Sequence, residues 1–185
     1  AKPSGSDKAG PLIEGDEFDR RHKEILTRKI QEILREGTKQ FPEIRELALR
    51  LTRRFSELTA AEIGGEIPPA LRQISEHLDM DRCTFWELSE DGMEMNHRYH
   101  YTAPGYADDS MTLTRKTSLW LFEKGLNKPY LDFALLENLP PEAAADKAML
   151  EKKGIKSALL LPYQIGGRTV AGITFDSMKE ERTFS

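Results

Sequence analysis

The sequence has a single cysteine, Cys83, no basic excess, no bilayer-length apolar run and no recognisable catalytic string. Each absence removes a class of function. One cysteine allows no internal disulfide, no thiolate-rich metal site and no pair of attacking and resolving thiols for a redox cycle. A membrane helix needs about 18 to 20 consecutive apolar residues; none occurs, and the N-terminus lacks the apolar core of a signal peptide. The expected location is therefore cytoplasmic, without membrane insertion. In 185 residues, 27 basic side chains face 31 acidic ones for a net charge of -4. Nucleic-acid binders carry a basic stripe or surplus, so direct nucleic-acid binding is not expected. No phosphate-cradling G-x-x-x-x-G-K-[ST] loop, Ser-His-Asp context or metal-ligand spacing is present. Neither a catalytic residue nor a metal ligand is assigned.

What remains is a charge-rich chain, 38% hydrophobic and 31% charged, long enough for one core of ordinary size plus an extension. Residues 1–16, rich in Gly, Pro, Ser and Lys, read as a flexible lead-in. Residues 17–57 carry two helical patterns. Ile25, Leu26, Ile30, Ile33 and Leu34 share a face in the first. In the second, Ile44, Leu47, Leu51, Phe55 and Leu58 recur at steps of three and four, the spacing of a coiled-coil or bundle seam. That stripe is a candidate homodimer interface, and it would equally suit a helix lying on its own domain. Thr59 and Glu62 form a capping box for a third helix. Gly64-Gly65 and Pro68-Pro69 are expected to break it, leaving a clean helix from Pro69 to about Leu78.

Beyond Asp79 the pattern changes to β signals. Strands are expected at 82–88 and 94–101, around Asp91-Gly92, and at 156–165 and 168–176, around Gly166-Gly167, a dipeptide suited to a two-residue hairpin turn. Strict alternation would place Met95, His97, Tyr99 and Tyr101 on one side of the second strand. His97 and His100 would then face opposite ways, which argues against a shared metal. Weak strands near 111–114 and 129–132, a short helix through Trp120 and Phe122, and a helix over 141–153 complete an α+β reading. The aromatic and polar set Trp86, His97, Tyr99, Trp120, Phe133 and Tyr163 is the candidate ligand-binding site, because small-molecule pockets are mostly apolar with a few polar tips. Core packing would use the same rings.

Several strings, in order, resemble the GAF domain: Leu78-Asp79-Met80-Asp81-Arg82-Cys83, Asp91-Gly92, Leu139-Pro140-Pro141-Glu142-Ala143, and Gly154-Ile155-Lys156-Ser157 followed by Leu161-Pro162. The resemblance covers residues 58–185 and implies a PAS-like antiparallel sheet flanked by helices, with residues 17–57 as an N-terminal helical extension and most of the family's C-terminal helix lacking. It implies a non-catalytic regulatory module, of the kind found in bacterial sensor histidine kinases, that binds a small molecule and relays the signal through dimeric helices. The alternative is a ligand-free dimerisation relay in a transcription activator or cyclic-di-nucleotide signalling protein. Asp176-Ser177 stands where cyclic-nucleotide binders carry Asn-Lys, and Cys83 lies in the first strand rather than where bilin-binding members attach their chromophore. Cyclic nucleotide, bilin and haem are accordingly disfavoured, and the ligand, if any, is left unnamed.

Overall fold

The computed structural model describes residues 20, 21, 25, 46, 50, 51, 53, 54, 57, 58, 60–107 and 112–184. The lead-in over 1–16 lies outside the described residues, as do Ile44, Leu47 and Phe55 of the proposed seam. Helix α1 (Ala60–His77) is followed by β1 (Arg82–Leu88), β2 (Glu94–Thr102), β3 (Leu113–Thr114), a π-helical turn (Leu121–Gly125) and β4 (Leu131–Phe133). Two 3-10 turns (Leu136–Asn138 and Pro141–Ala143) then lead to α2 (Ala144–Lys152), β5 (Ser157–Ile165) and β6 (Arg168–Ser177). The strands form one antiparallel sheet in the order β3-β2-β1-β6-β5-β4. Gly166 and Gly167 both take positive φ, 59° and 78°, which the tight β5–β6 turn requires.

Alternation along β1 sorts the core into two halves. Cys83 and Phe85 face α1, joining Ile67, Leu71, Ile74, Ile173 and Phe175 in a buried cluster that also holds Ile25 and Leu51. Arg82, Thr84 and Trp86 face the other way, toward the π-turn and α2. Leu51 is thus buried in this chain's own core, 2% exposed, with Leu58 packed against the same cluster. Arg50 reaches Gln73 at 3.2 Å and Arg54 reaches Glu66 at 2.5 Å, so the segment containing them lies along α1.

Two expectations fail here. The helix does not break at its glycines and prolines: α1 runs unbroken from Ala60 to His77 with Pro68 and Pro69 inside it. A helical proline withholds the amide that would bond the carbonyl four residues back, and its ring presses on that carbonyl. The carbonyls concerned belong to Gly64 and Gly65, whose lack of side chains allows the local adjustment, while burial of Ile67, Ala70, Leu71 and Ile74 holds the helix on the sheet.

The second failure is the alternation of β2. Phe85 pairs with Tyr99 but Trp86 pairs with His97, so Arg98 is an extra residue, a β-bulge. A bulge leaves two residues opposite one and resets the face of everything beyond it. Met95 and His97 therefore share the face of Trp86, whereas Tyr99 and Tyr101 pack with Phe85 and Cys83 under α1. The Phe85 and Tyr99 rings lie 6.3 Å apart, and Arg72 of α1 sits 5.9 Å above the Tyr101 ring. His97 and His100, expected on opposite sides, both stand opposite residues of the same β1 face, Trp86 and Thr84.

Candidate functional site

Between the second face of the sheet and the cover formed by the π-turn and α2 lies a cavity of about 60 Å³. Its walls change character along the strands. At one end the cross-strand pair Arg82 and Asp176 meets Lys153, just past the last turn of α2. Thr84 and Thr174, again directly paired, form the waist. Met95, Leu113, Leu121, Leu131 and Leu160 line the remainder, with His97 among them.

The ion pair is the most unusual feature. Arg82 donates from Nε to Asp176 Oδ2 at 2.7 Å, with the two residues only 6% and 4% exposed. Burial pushes the Asp176 carboxyl above its ordinary range, opposed by the attraction and hydrogen bond of Arg82 and by Lys153. Removing such charges from water is costly unless each is paired.

The cover is held by a second buried acid. Asp146, 1% exposed on α2, accepts hydrogen bonds from the amides of Trp120 and Leu121, both at 3.3 Å. These are amides that a helical start leaves without partners. Asp146 shares one side of α2 with Met149, Leu150 and Lys153 by their spacing of three, four and seven, so one face of the helix both ties down the π-turn and closes the cavity. Desolvation raises the Asp146 carboxyl, and the two backbone bonds act the other way.

The proposed ligand residues are dispersed by this geometry. His97 and Phe133 line the cavity. Trp86 lies on the same side, fully buried, with Nε1 donating to Thr174 Oγ1 at 3.1 Å, and Trp120 packs against that cluster from the cover. Tyr99 and Tyr163 belong to the α1 cluster on the opposite face. Arg82, Asp176, Lys153 and Asp146 are not among the candidate site residues read from the sequence, where Lys153 counts as solvated charge. The legible signal was a charge at an inward position of an otherwise apolar strand, and an acid in register with Met149 and Leu150. Among the described residues no three His, Cys, Asp or Glu side chains are grouped to hold a metal, and no helix is long and apolar enough to cross a membrane.

No protein-family model matches the sequence, and no curated protein matches it. Solved structures do. The phycocyanobilin-bound GAF domain of a cyanobacterial phytochrome superposes with a TM-score of 0.58 at 15% identity, over 76% of this chain and 80% of that one. The blue-light absorbing form of the Thermosynechococcus elongatus PixJ GAF domain gives 0.55 at 10% identity, over 66% and 73%. The GAF region of a Geobacter sulfurreducens PCA protein gives 0.52 at 14% identity, over 66% and 80%.

The chain has the GAF fold.

This corrects the expectation that a bilin is disfavoured. That expectation rested on the place of Cys83, yet GAF domains of this shape include one with phycocyanobilin bound. Cys83 is buried against α1, on the other face of the GAF sheet from the cavity, and burial followed by Asp176 pushes its thiol well up. Its position bears on a thioether and says nothing of a tetrapyrrole held without a covalent bond.

Proposed function

We propose that this chain is the sensory module of a signal-transduction protein, most simply a bacterial sensor histidine kinase, and that it binds a small molecule in the cavity beneath α2. The relay runs through N-terminal helices paired in a homodimer. The observation that carries the reading is the cavity itself, a gap in the core whose apolar walls end in a buried charged group. His97 and Phe133 touch the ligand, while Trp86 shapes the wall behind them. Strand β1 lines the cavity with Arg82 and Thr84 and packs under α1 with Cys83 and Phe85. A change on one face therefore reaches the other through a single strand. Such a relay needs a ligand that favours one helical arrangement by about 1 to 3 kcal/mol.

The test is native mass spectrometry and an absorption spectrum of freshly purified protein, followed by a thermal-shift screen of metabolites. A retained mass, a visible chromophore band or a saturable rise in Tm supports the reading. No retained mass and no stabilisation at millimolar concentration refutes it. Ligand pockets are ordinarily about 300 to 1,000 Å³, and a cavity of about 60 Å³ favours one second reading. In it the chain is a ligand-free dimerisation relay of a transcription activator or cyclic-di-nucleotide signalling protein. That reading requires association in sedimentation experiments with no ligand effect.

A further inference from the structure

We infer that the cavity, taken as the ligand site proposed above, is built for a small uncharged molecule without hydrogen-bonding groups, a hydrocarbon in kind. Three observations converge on this class. First, the polar groups around the cavity are already engaged. Arg82 donates to Asp176, and Lys153 acts on the same carboxylate. Thr174 accepts from the Trp86 indole, and His97 has an interaction of its own. Among the described residues, the buried side-chain polar atoms without a partner are Thr102 Oγ1, Ser118 Oγ and Arg182 Nε, and none of these residues lines the cavity. A ligand that brought a charge, a donor or an acceptor would bury it without a counterpart, which costs affinity.

Second, the rest of the wall is hydrocarbon. Leu131 and Leu160 pair directly across β4 and β5, and Met95, Leu113 and Leu121 complete it. A buried water is held by about two to four polar partners, which this wall does not offer. Protein interiors leave few voids larger than one water, and an apolar occupant restores the contacts that the lining side chains lack on their inner side. A water needs roughly 10 to 15 Å³ of such space, so about 60 Å³ accommodates roughly four to six non-hydrogen atoms.

Third, two features of the cover keep the space from closing. A void shrinks where the surrounding side chains relax into it. Asp146 fixes the π-turn to α2 through the amides of Trp120 and Leu121, so the roof is held in place by polar bonds rather than by filling the gap. Gly125, buried at the end of that turn, receives the methyl tips of two wall residues. A Cβ there would lie 2.6 Å from Leu160 Cδ2 and 3.3 Å from Leu131 Cδ2. The missing side chain lets both leucines lie against the turn, and the cavity stays open beside them.

The test uses xenon, cyclopentane and tetrahydrofuran, the last a ring of the same size carrying one oxygen acceptor. Binding to the 185-residue chain is followed by Tm and by NMR of isotope-labelled leucine and methionine methyls. The expected result is saturable shifts of Met95, Leu121, Leu131 and Leu160 with xenon and cyclopentane, and tetrahydrofuran weaker than cyclopentane by about tenfold or more. Gly125→Ala is the variant to make. Leu160 Cδ2 is the far end of a flexible side chain and can give way into the cavity. The variant should therefore fold, and the space of one methyl lost should weaken cyclopentane by about fourfold or more. Tetrahydrofuran binding as tightly as cyclopentane overturns the apolar assignment and leaves the cavity reading standing. Unchanged cyclopentane affinity in folded Gly125→Ala overturns it by placing the ligand elsewhere. In the parent protein, shifts confined to methyls outside the cavity, or no shift with any probe, overturn it whatever the fate of the variant. The cavity reading is then decided separately by the retained-mass measurement, where a bound charged molecule sustains that reading and sinks this inference.

Discussion

Gly172 offers a sharp test of how the cavity's back wall is packed. It stands opposite Trp86 on β1 and Pro162 on β5, in the middle of the sheet. A Cβ placed there would lie 2.6 Å from the carbonyl oxygen of Leu161 and closer still to the Trp86 ring, whereas ordinary contact begins at 3.4 Å. Neither neighbour has an easy retreat. The carbonyl belongs to a paired strand, and the indole is 0% exposed with its nitrogen committed to Thr174. Overpacking a core typically costs about 1 to 3 kcal/mol, and a clash with backbone places Gly172→Ala near about 3 kcal/mol. At about 2 to 4 °C per kcal/mol for a chain of this size, Tm should fall by about 6 to 12 °C. Circular dichroism gives that number, and the near-ultraviolet signal reports the displaced tryptophan. In a Trp86→Phe background the ring clash shrinks while the Leu161 clash stays. The two changes should therefore be sub-additive, with a coupling of about 0.5 to 3 kcal/mol. A Gly172→Ala protein within about 0.5 kcal/mol of the parent, or strict additivity, would refute this account of the wall.

Two further expectations follow from the same geometry. Tyr99→Phe should leave binding at the cavity unchanged and cost at most about 1 kcal/mol of stability, because the ring lies under α1; weaker binding in calorimetry would place Tyr99 at the ligand. For Asp146, burial raises the folded carboxyl above its ordinary value of 3.8, so its contribution is full below that value and is lost as pH rises through the folded pKa. The stability of the parent relative to Asp146→Asn should therefore decline as pH rises above about 4, and a rise there in paired thermal melts would reverse the assignment.

The hairpins were legible because their signals are local. Gly92, Gly166 and Gly167 supply positive φ where a turn needs it, and the apolar runs beside them have no other place to go. The bulge at Arg98 was not legible. Alternation carries no mark of an inserted residue, and one extra position moved Tyr99 and Tyr101 away from Met95 and His97. Local rules were also misleading at Pro68-Pro69, where burial of Leu71 and Ile74 on the sheet outweighs the lost helical bonds. The candidate site was chosen by its rings. In the folded chain the distinctive chemistry belongs to Arg82 and Asp176, which are 94 residues apart in sequence and meet only because β6 pairs with β1.

The proline pair has a mechanical consequence. Two successive rungs are missing from the ladder of α1, so the helix consists of two cooperative units on one axis. The unit after Pro69 is clamped by Ala70, Leu71 and Ile74, and the unit before Pro68 holds to the core through Ile67. Opening of the first turns can stop at the prolines without lifting the rest from the sheet, and amide exchange along α1 should step sharply there. Under the relay proposed above, torque from the N-terminal segment would meet a yielding joint before it reaches the strands.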